Sequence, residues 1–159
     1  DLLDVMLGER YRREQWQVRI DGIEVFPDYI QNHQRDIYDH IHIGDAFETI
    51  AQLGNYEMIF VGDVLEHFEK PKAWEFLDRC ITHTDKHLIL NLPLGSEWEQ
   101  PAIYENPFER HRSVWSWPEL EPFTWKYKFF DIFPGKYSCL LIRKDDYIDY
   151  KISRLKASI

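Results

Sequence analysis

The chain has 159 residues, which is enough for one domain with a sizeable core but not for two ordinary domains. Its 44% hydrophobic and 16% aromatic content excludes disordered and fibrous proteins, and no segment approaches the roughly 20 apolar residues that cross a bilayer. A formal net charge of −9 disfavours nucleic acid as a partner, because phosphate backbones are bound by clusters of Lys and Arg.

Strand and helix patterns alternate along the first two thirds of the chain, and a hairpin pattern follows. The predicted elements, in chain order, are a helix over 2–7, a strand over 17–25, a helix from Pro27 to Asp36, a strand ending at Gly44-Asp45, a helix over 46–53, a strand over 56–63, a helix opened by Pro71, a strand over 86–92, a loop over 95–115, a helical turn at 118–120 and paired strands over 125–133 and 136–143. The tail over 144–156 alternates basic with acidic residues, and we interpret it as a solvated surface. This order predicts a single α/β domain with three layers, a mostly parallel sheet and a C-terminal antiparallel hairpin.

Acidic residues end the first two strands, where ligands bind in open α/β sheets. Glu24 lies at the carboxyl end of the first strand, and its carboxylate could accept both hydroxyl hydrogens of a ribose; the alternative is a surface glutamate. Asp45 follows the second strand after Gly44, where it could bind an adenine edge or cap the next helix, and the two roles are compatible.

The segment YEMIFVGDVLEHFEK is the most informative in the chain, because a buried strand ends in it at Gly62-Asp63. A glycine and a carboxylate at this point leave room for a ligand. His67 is the best candidate for a general base, since an imidazole has an ordinary pKa of about 6.5; a structural histidine is the alternative. Glu66 could instead cap the following helix.

The loop over 95–115 mixes rigid aromatic rings with hydrogen-bonding groups, as substrate loops do, although a simple surface excursion would look similar. Its candidate ligand-binding residues are Tyr104, Glu105, Asn106, Glu109, His111, Arg112 and Trp115. With Asn91 on the preceding strand, Tyr104, His111 and Arg112 are the predicted acceptor-binding residues.

The sequence predicts no metal site. His40 and His42 point to the same side of a strand, but no third ligand lies near them in the sequence. Cys80 and Cys139 are too few for a disulfide framework or a metal knuckle, so we expect reduced core thiols in a cytoplasmic protein.

From about Val18 to Arg143 the chain resembles the class I S-adenosylmethionine-dependent methyltransferases. The segments that carry the resemblance stand in the order and at the spacing of that family: IDGIEVF, IHIGDA, YEMIFVGDVLEHF and HLILNLPLG. DVLEH is the most specific of these segments. The resemblance implies a Rossmann-like fold, S-adenosylmethionine as cofactor, and a final strand that lies antiparallel between its two neighbours.

The resemblance also implies roles for particular residues. Glu24, with Val25 and Phe26, would hold the ribose, and Gly44, Asp45 and Ala46 would lie at the adenine. Asp63, Val64 and Leu65 would lie near the methionine part of the cofactor.

One feature of the resembled family is missing. Its first strand and Gly-rich turn should precede Asp1, so we expect upstream residues in the native polypeptide. The activity that we expect is methyl transfer to a small-molecule or sugar-type acceptor. The alternatives are a non-catalytic binding or scaffold module, and a nicotinamide-binding domain, against which DVLEH argues.

Overall fold

The computed structural model describes residues 16–102 and 106–158, and the predicted helix over 2–7 and Tyr104 lie outside these ranges. The chain divides into two compact units, Asp1–Gln52 and Leu53–Ile159. Each unit has its own sheet. Within the described residues, the first unit therefore shares no strand pairing with the second.

The first unit contains two short parallel strands, β1 (Asp21–Glu24) and β2 (His40–Ile43), which are paired along their whole length. Two short helices belong to the same unit: α1 (Asn32–Ile37) and α2 (Ala46–Thr49), the latter extended by a 3-10 turn at Ile50–Gln52. Both strands are shorter than their sequence patterns predict.

The single helix predicted from Pro27 to Asp36 is wrong. Pro27–Tyr29 forms only a 3-10 turn, and the backbone at Ile30 and Gln31 is extended. The break has a local cause, because Gln31 caps α1: its main-chain N–H donates to Oε1 of Gln34 at 2.6 Å. The helix therefore starts at Asn32, five residues after the proline.

The second unit is built on a four-stranded mixed sheet in the order β3-β4-β6-β5. Its strands are β3 (Tyr56–Gly62), β4 (Thr84–Leu94), β5 (Lys126–Ile132) and β6 (Gly135–Arg143). The β3 and β4 strands are parallel, while β6 lies antiparallel between β4 and β5, as the resemblance implies. Only one of the three pairings in this sheet is parallel, so the mostly parallel three-layer arrangement stays a prediction.

Helix α3 (Lys70–Thr82) supplies much of the core of this unit. The buried residues of the helix are Ala73, Phe76, Leu77, Cys80 and Ile81. Buried leucines of β4 belong to the same core. Trp74 lies at the margin of this core, and its ring centroid is 5.2 Å from that of Trp115. The apolar stripe of α3 is therefore core packing, as the sequence predicts.

The C-terminal segment is a helix, α5 (Lys144–Ala157), which follows the short helix α4 (Trp117–Leu120) and the closing hairpin. The sequence pattern did not predict this helix, but its residues are mostly exposed, as expected for a solvated surface, and Tyr147 is the exception. Tyr147 is only 2% exposed, and its ring lies 5.0 Å from that of Phe123. No helix in the described ranges is long and apolar enough to span a bilayer.

The Asp78 carboxylate of α3 binds two side chains of helix α5. Asp78 accepts a hydrogen bond from the Tyr147 hydroxyl at 2.7 Å and another from Lys151 at 2.9 Å. If the Tyr147 hydroxyl is removed, the Asp78 carboxylate loses one of its two hydrogen bonds and keeps only the one from Lys151.

We expect Tyr147→Phe to lower the free energy of unfolding by about 1–2 kcal/mol, because it removes a hydrogen bond to a charged acceptor and retains the ring. Urea denaturation followed by circular dichroism measures this change. Tyr150→Phe is the matched control, since the Tyr150 ring lies 5.1 Å from that of Phe123 and its hydroxyl makes no hydrogen bond within the described residues. Equal losses in the two variants would contradict the attachment through Asp78.

Candidate active site

The candidate site of the second unit begins where β3 ends. Asp63 follows Gly62 directly, and its main-chain N–H donates to the carbonyl of Asn91 on β4 at 3.1 Å. Asp63 has φ +52°, a left-handed conformation that Asp tolerates better than most residues. The backbone therefore turns sharply at the carboxyl end of the parallel pair.

Tyr137 on β6 orients the Asp63 carboxylate, because its hydroxyl lies 2.7 Å from both carboxylate oxygens. Burial raises the pKa of the Tyr137 hydroxyl, and the bond to Asp63 raises it further, so the hydroxyl stays protonated and donates. The sequence analysis missed this residue. Tyr137 lies opposite Pro93 in the β4–β6 register, which becomes visible only once that register is known.

A 3-10 turn, Leu65–His67, follows Asp63 and Val64. The Leu65 side chain is fully buried, so it packs in the core, and Glu66 is only 1% exposed. Burial raises the pKa of Glu66 to about 8, and the nearby Asp63 carboxylate contributes in the same direction. Oε2 of Glu66 has no hydrogen-bond partner among the described residues.

Glu66 does not cap the next helix, which begins after Glu69. Instead, its main-chain carbonyl accepts hydrogen bonds from the N–H groups of Arg112 at 2.7 Å and Ser113 at 3.1 Å. The Ser113 hydroxyl adds a bond to the carbonyl of Leu65 at 3.3 Å and accepts one from the indole N–H of Trp115 at 3.0 Å. The end of the predicted substrate loop is therefore attached to the turn that carries His67.

This attachment brings two histidines together, with ring centroids 5.0 Å apart. Nδ1 of His67 lies 3.2 Å from the carbonyl oxygen of Arg110, and Nδ1 of His111 contacts the carbonyl oxygen of Trp98. A carbonyl only accepts, so both Nδ1 atoms carry hydrogen, and the neutral form of each ring has its lone pair on Nε2. Burial lowers the pKa of His111, and His67 also acts to lower it, which favours the neutral ring.

A cleft of about 640 Å³ lies beside His111. Its lining includes Gly95, Trp98, Gln100, Arg112 and Trp115. The Arg112 side chain is exposed, while the Trp98 indole nitrogen is buried without a partner among the described residues. Trp98 was not among the predicted site residues, because a lone tryptophan in a polar loop gives no signal by itself.

Asn91, predicted to bind the acceptor, lies beside Asp63 at the end of the parallel pair. Its side-chain Oδ1 is buried and has no hydrogen-bond partner in the part of the chain that the structure describes. Tyr104, predicted with it, lies outside the described residues.

The residues predicted for the adenosine half of the cofactor lie in the first unit. The main-chain N–H of Gly44 donates to the carbonyl of Glu24 at 2.9 Å, so the two strand ends are adjacent. Oε1 of Glu24 accepts from the N–H of Phe26 at 2.8 Å. Oδ1 of Asp45 accepts from the N–H of Phe47 at 2.8 Å, which confirms the helix-capping interpretation for Asp45.

No protein-family model and no curated protein matches the sequence. Solved structures match at low identity. TehB from Haemophilus influenzae matches with a TM-score of 0.58 at 9% identity, over 80% of this chain and 50% of that one. The magnesium protoporphyrin IX methyltransferase ChlM from Synechocystis, with bound S-adenosylmethionine, matches with a TM-score of 0.57 at 13% identity, over 79% and 59%.

A third match, a SAM-dependent methyltransferase from Archaeoglobus fulgidus, has a TM-score of 0.55 at 12% identity and covers 89% of this chain and 93% of that one. The chain has the fold of S-adenosylmethionine-dependent methyltransferases. It spans about half of TehB and about three fifths of ChlM. The α/β methyltransferase fold that DVLEH implies is therefore confirmed.

The attachment of the loop to the turn can be tested by Ser113→Ala. This change leaves the N–H of Trp115 unpaired, on a side chain that is 1% exposed, so we expect a loss of about 1–3 kcal/mol in the free energy of unfolding. Thermal or urea denaturation measures it. Ser96→Ala, at an exposed position of the same loop, should change stability by less than about 0.5 kcal/mol. If Ser113→Ala is as mild as this control, the hydroxyl does not attach the loop.

Proposed function

We propose that the chain acts as an S-adenosylmethionine-dependent methyltransferase on a small-molecule or sugar-type acceptor. The observation that carries the proposal is the chemistry at the strand ends. In both units, parallel strands end in acidic turns, and in the second unit two imidazole lone pairs lie beside the turn. A cationic sulfonium cofactor and a nucleophile that must lose a proton suit such a set of groups.

In the first unit, Glu24 would bind the ribose hydroxyls. The bond from the Phe26 N–H orients its carboxylate, and Oε2 makes no hydrogen bond among the described residues. Val25 and Phe26 would contact the ribose, while Gly44, Asp45 and Ala46 would contact the adenine. The role of Asp45 as a helix cap supports this assignment, because it holds the main chain of Gly44 and Ala46 in one conformation.

In the second unit, Asp63, with Val64 and the main chain of Leu65, would lie near the methionine part. An ionised carboxylate attracts the positive charges of that part, and Tyr137 keeps the Asp63 carboxylate in place. Asn91 would bind the acceptor through its buried Oδ1, and His111 and Arg112 would contact it from the cleft.

Methyl transfer is an in-line displacement in which the acceptor's electron pair forms the new bond to carbon. The carbon–sulfur bond would break with its electron pair staying on sulfur, and Nε2 of His67 would take the acceptor's proton. Most of the rate enhancement would come from holding donor and acceptor in line, with proton removal as a smaller contribution. The cleft and the acidic surface favour a small acceptor over nucleic acid.

Isothermal titration tests cofactor binding. We expect S-adenosylmethionine and S-adenosylhomocysteine to bind the full natural protein, and Glu24→Ala to weaken both by about 10- to 100-fold, because two hydrogen bonds to a charged acceptor are lost. Glu48→Ala, at an exposed position of the same unit, is the control. The absence of binding to any form would favour the non-catalytic scaffold.

The role of His67 is tested by His67→Ala. We expect kcat for transfer of a labelled methyl group to fall by about 10²- to 10⁴-fold, with cofactor affinity unchanged, because the acceptor keeps its proton. His87→Ala is the control; its ring stacks on Trp125 at 6.1 Å. An unchanged kcat would mean that positioning alone accounts for catalysis.

A further inference from the structure

Three side chains at the turn after β3 combine donor atoms that transition metals prefer. Glu66, His67 and His111 each offer one ligand atom, and these atoms all lie within 4.8 Å of one another. We propose that this Glu66–His67–His111 cluster binds one divalent transition-metal cation of the Zn²⁺ type. Its use in catalysis rests on the proposed function, whereas cation binding does not.

The spacing of the cluster fits such an ion. Zn²⁺ binds His nitrogen and carboxylate oxygen at about 2.0–2.2 Å, so the ligand atoms of a tetrahedral site lie about 3.3 Å apart. The widest separation in the cluster must therefore shrink by at most about 1.5 Å. Side-chain rotations of this size are available to His67 and His111, which are only half-buried.

The Nδ1 contacts of both histidines match those of metal-bound histidines. Metal-bound histidines donate the other ring N–H to a carbonyl or carboxylate, which fixes the tautomer and the ring orientation. Here Nδ1 of His67 meets the carbonyl of Arg110, and Nδ1 of His111 meets that of Trp98. The main-chain N–H of His111 also donates a hydrogen bond, to the carbonyl of Gln100 at 3.0 Å. Both the main chain and the ring of His111 are therefore held in place.

The environment of Glu66 is an independent reason to expect a bound cation. Glu66 is 1% exposed, yet its Oε2 has no hydrogen-bond partner among the described residues, and no Lys or Arg of those residues forms an ion pair with it. A buried side-chain oxygen without a hydrogen-bond partner is costly. A bound cation coordinated by Oε2 removes that cost.

The donor set selects the class of ion. Ca²⁺ and Mg²⁺ prefer shells made of oxygen, whereas imidazole nitrogen suits Zn²⁺ and its transition-metal neighbours. Two histidines and one glutamate leave at least one coordination position open, which is typical of catalytic rather than structural sites. His111 also lines the cleft, through which an acceptor would reach that position.

An acceptor hydroxyl in the open position would become more acidic and would be held in place by the cation. Its proton would pass to water, its oxygen would attack the methyl carbon, and the electron pair of the broken carbon–sulfur bond would stay on sulfur. The lone pair of His67 would then be a metal ligand, and His67 would position the acceptor through the cation rather than take its proton.

The test is a metal titration without cofactor or acceptor. The full natural protein is treated with a chelator and titrated with Zn²⁺ by calorimetry and with Co²⁺ by visible absorption, which reports imidazole coordination. We expect one ion per chain. Glu66→Gln and His111→Ala should each weaken Zn²⁺ binding by more than about 100-fold, beyond what loss of an outer-shell group costs.

His87→Ala and Glu97→Gln, outside the cluster, should bind as the unaltered protein does. Glu66→Gln nearly preserves the side-chain shape, and its far-ultraviolet circular dichroism checks folding. Zn²⁺ should also raise the thermal midpoint of the unaltered protein but not that of Glu66→Gln.

Three outcomes would overturn the proposal: no stoichiometric Zn²⁺ binding, equal binding in the cluster variants and the controls, or tighter binding of Mg²⁺ or Ca²⁺ than of Zn²⁺. The result is independent of cofactor titration. Metal binding without S-adenosylmethionine binding would contradict only the proposed function. S-adenosylmethionine binding without metal binding would contradict only the metal site.

Discussion

The second unit depends on one main-chain acceptor, the carbonyl of Glu66, which receives the N–H groups of Arg112 and Ser113. Together with the bond from the Ser113 hydroxyl to the carbonyl of Leu65, these bonds fix the end of the long loop beside the turn after β3. Backbone contacts of this kind survive changes of side chain, so the loop sequence can vary while its path stays the same. The site is therefore defined first by backbone geometry and only then by its side chains.

Around this point, a buried and an exposed carboxyl group lie beside two half-buried histidines. Asp63 and Glu66 bring two carboxyl groups close together, and the neighbouring histidines are held in forms that present lone pairs. Such a region attracts positive charge and repels anions. A sulfonium cofactor and a divalent ion are both compatible with it, which is why one small region supports two proposals.

Much of the second unit was predictable because its signals are local. The strand before Asp63, the apolar stripe of α3 and the hairpin around Pro134-Gly135 are all visible in short windows, and the structure contains all three. The prediction that this strand is buried is wrong, because β3 lies at the edge of its sheet and Met58 and Phe60 are 56% and 61% exposed. Helix α5 was not predictable, because Tyr147 is its only buried residue and its charges mask the helical period. The break at Gln31 was missed because glutamine is not a usual capping residue.

The site itself was only partly predictable. His67 and His111 could each be named from the sequence, but their pairing depends on the loop path, and Tyr137 lies 74 residues from the carboxylate that it orients. Contacts between distant segments leave no periodic trace in a single sequence, so the metal-ligand grouping could not be seen there. The helix cap at Asp45, by contrast, involves a neighbour two residues away and was foreseen.

The left-handed backbone at Asp63 restricts which residues can replace it during evolution. At φ +52°, Asn and Gly fit with little strain, whereas Val or Ile would clash with the backbone. Asparagine also keeps the shape of the side chain while removing its charge. A relative that has lost the activity but kept the fold can therefore carry Asn at this position. The identity of residue 63 thus depends both on the backbone conformation and on the need for a carboxylate.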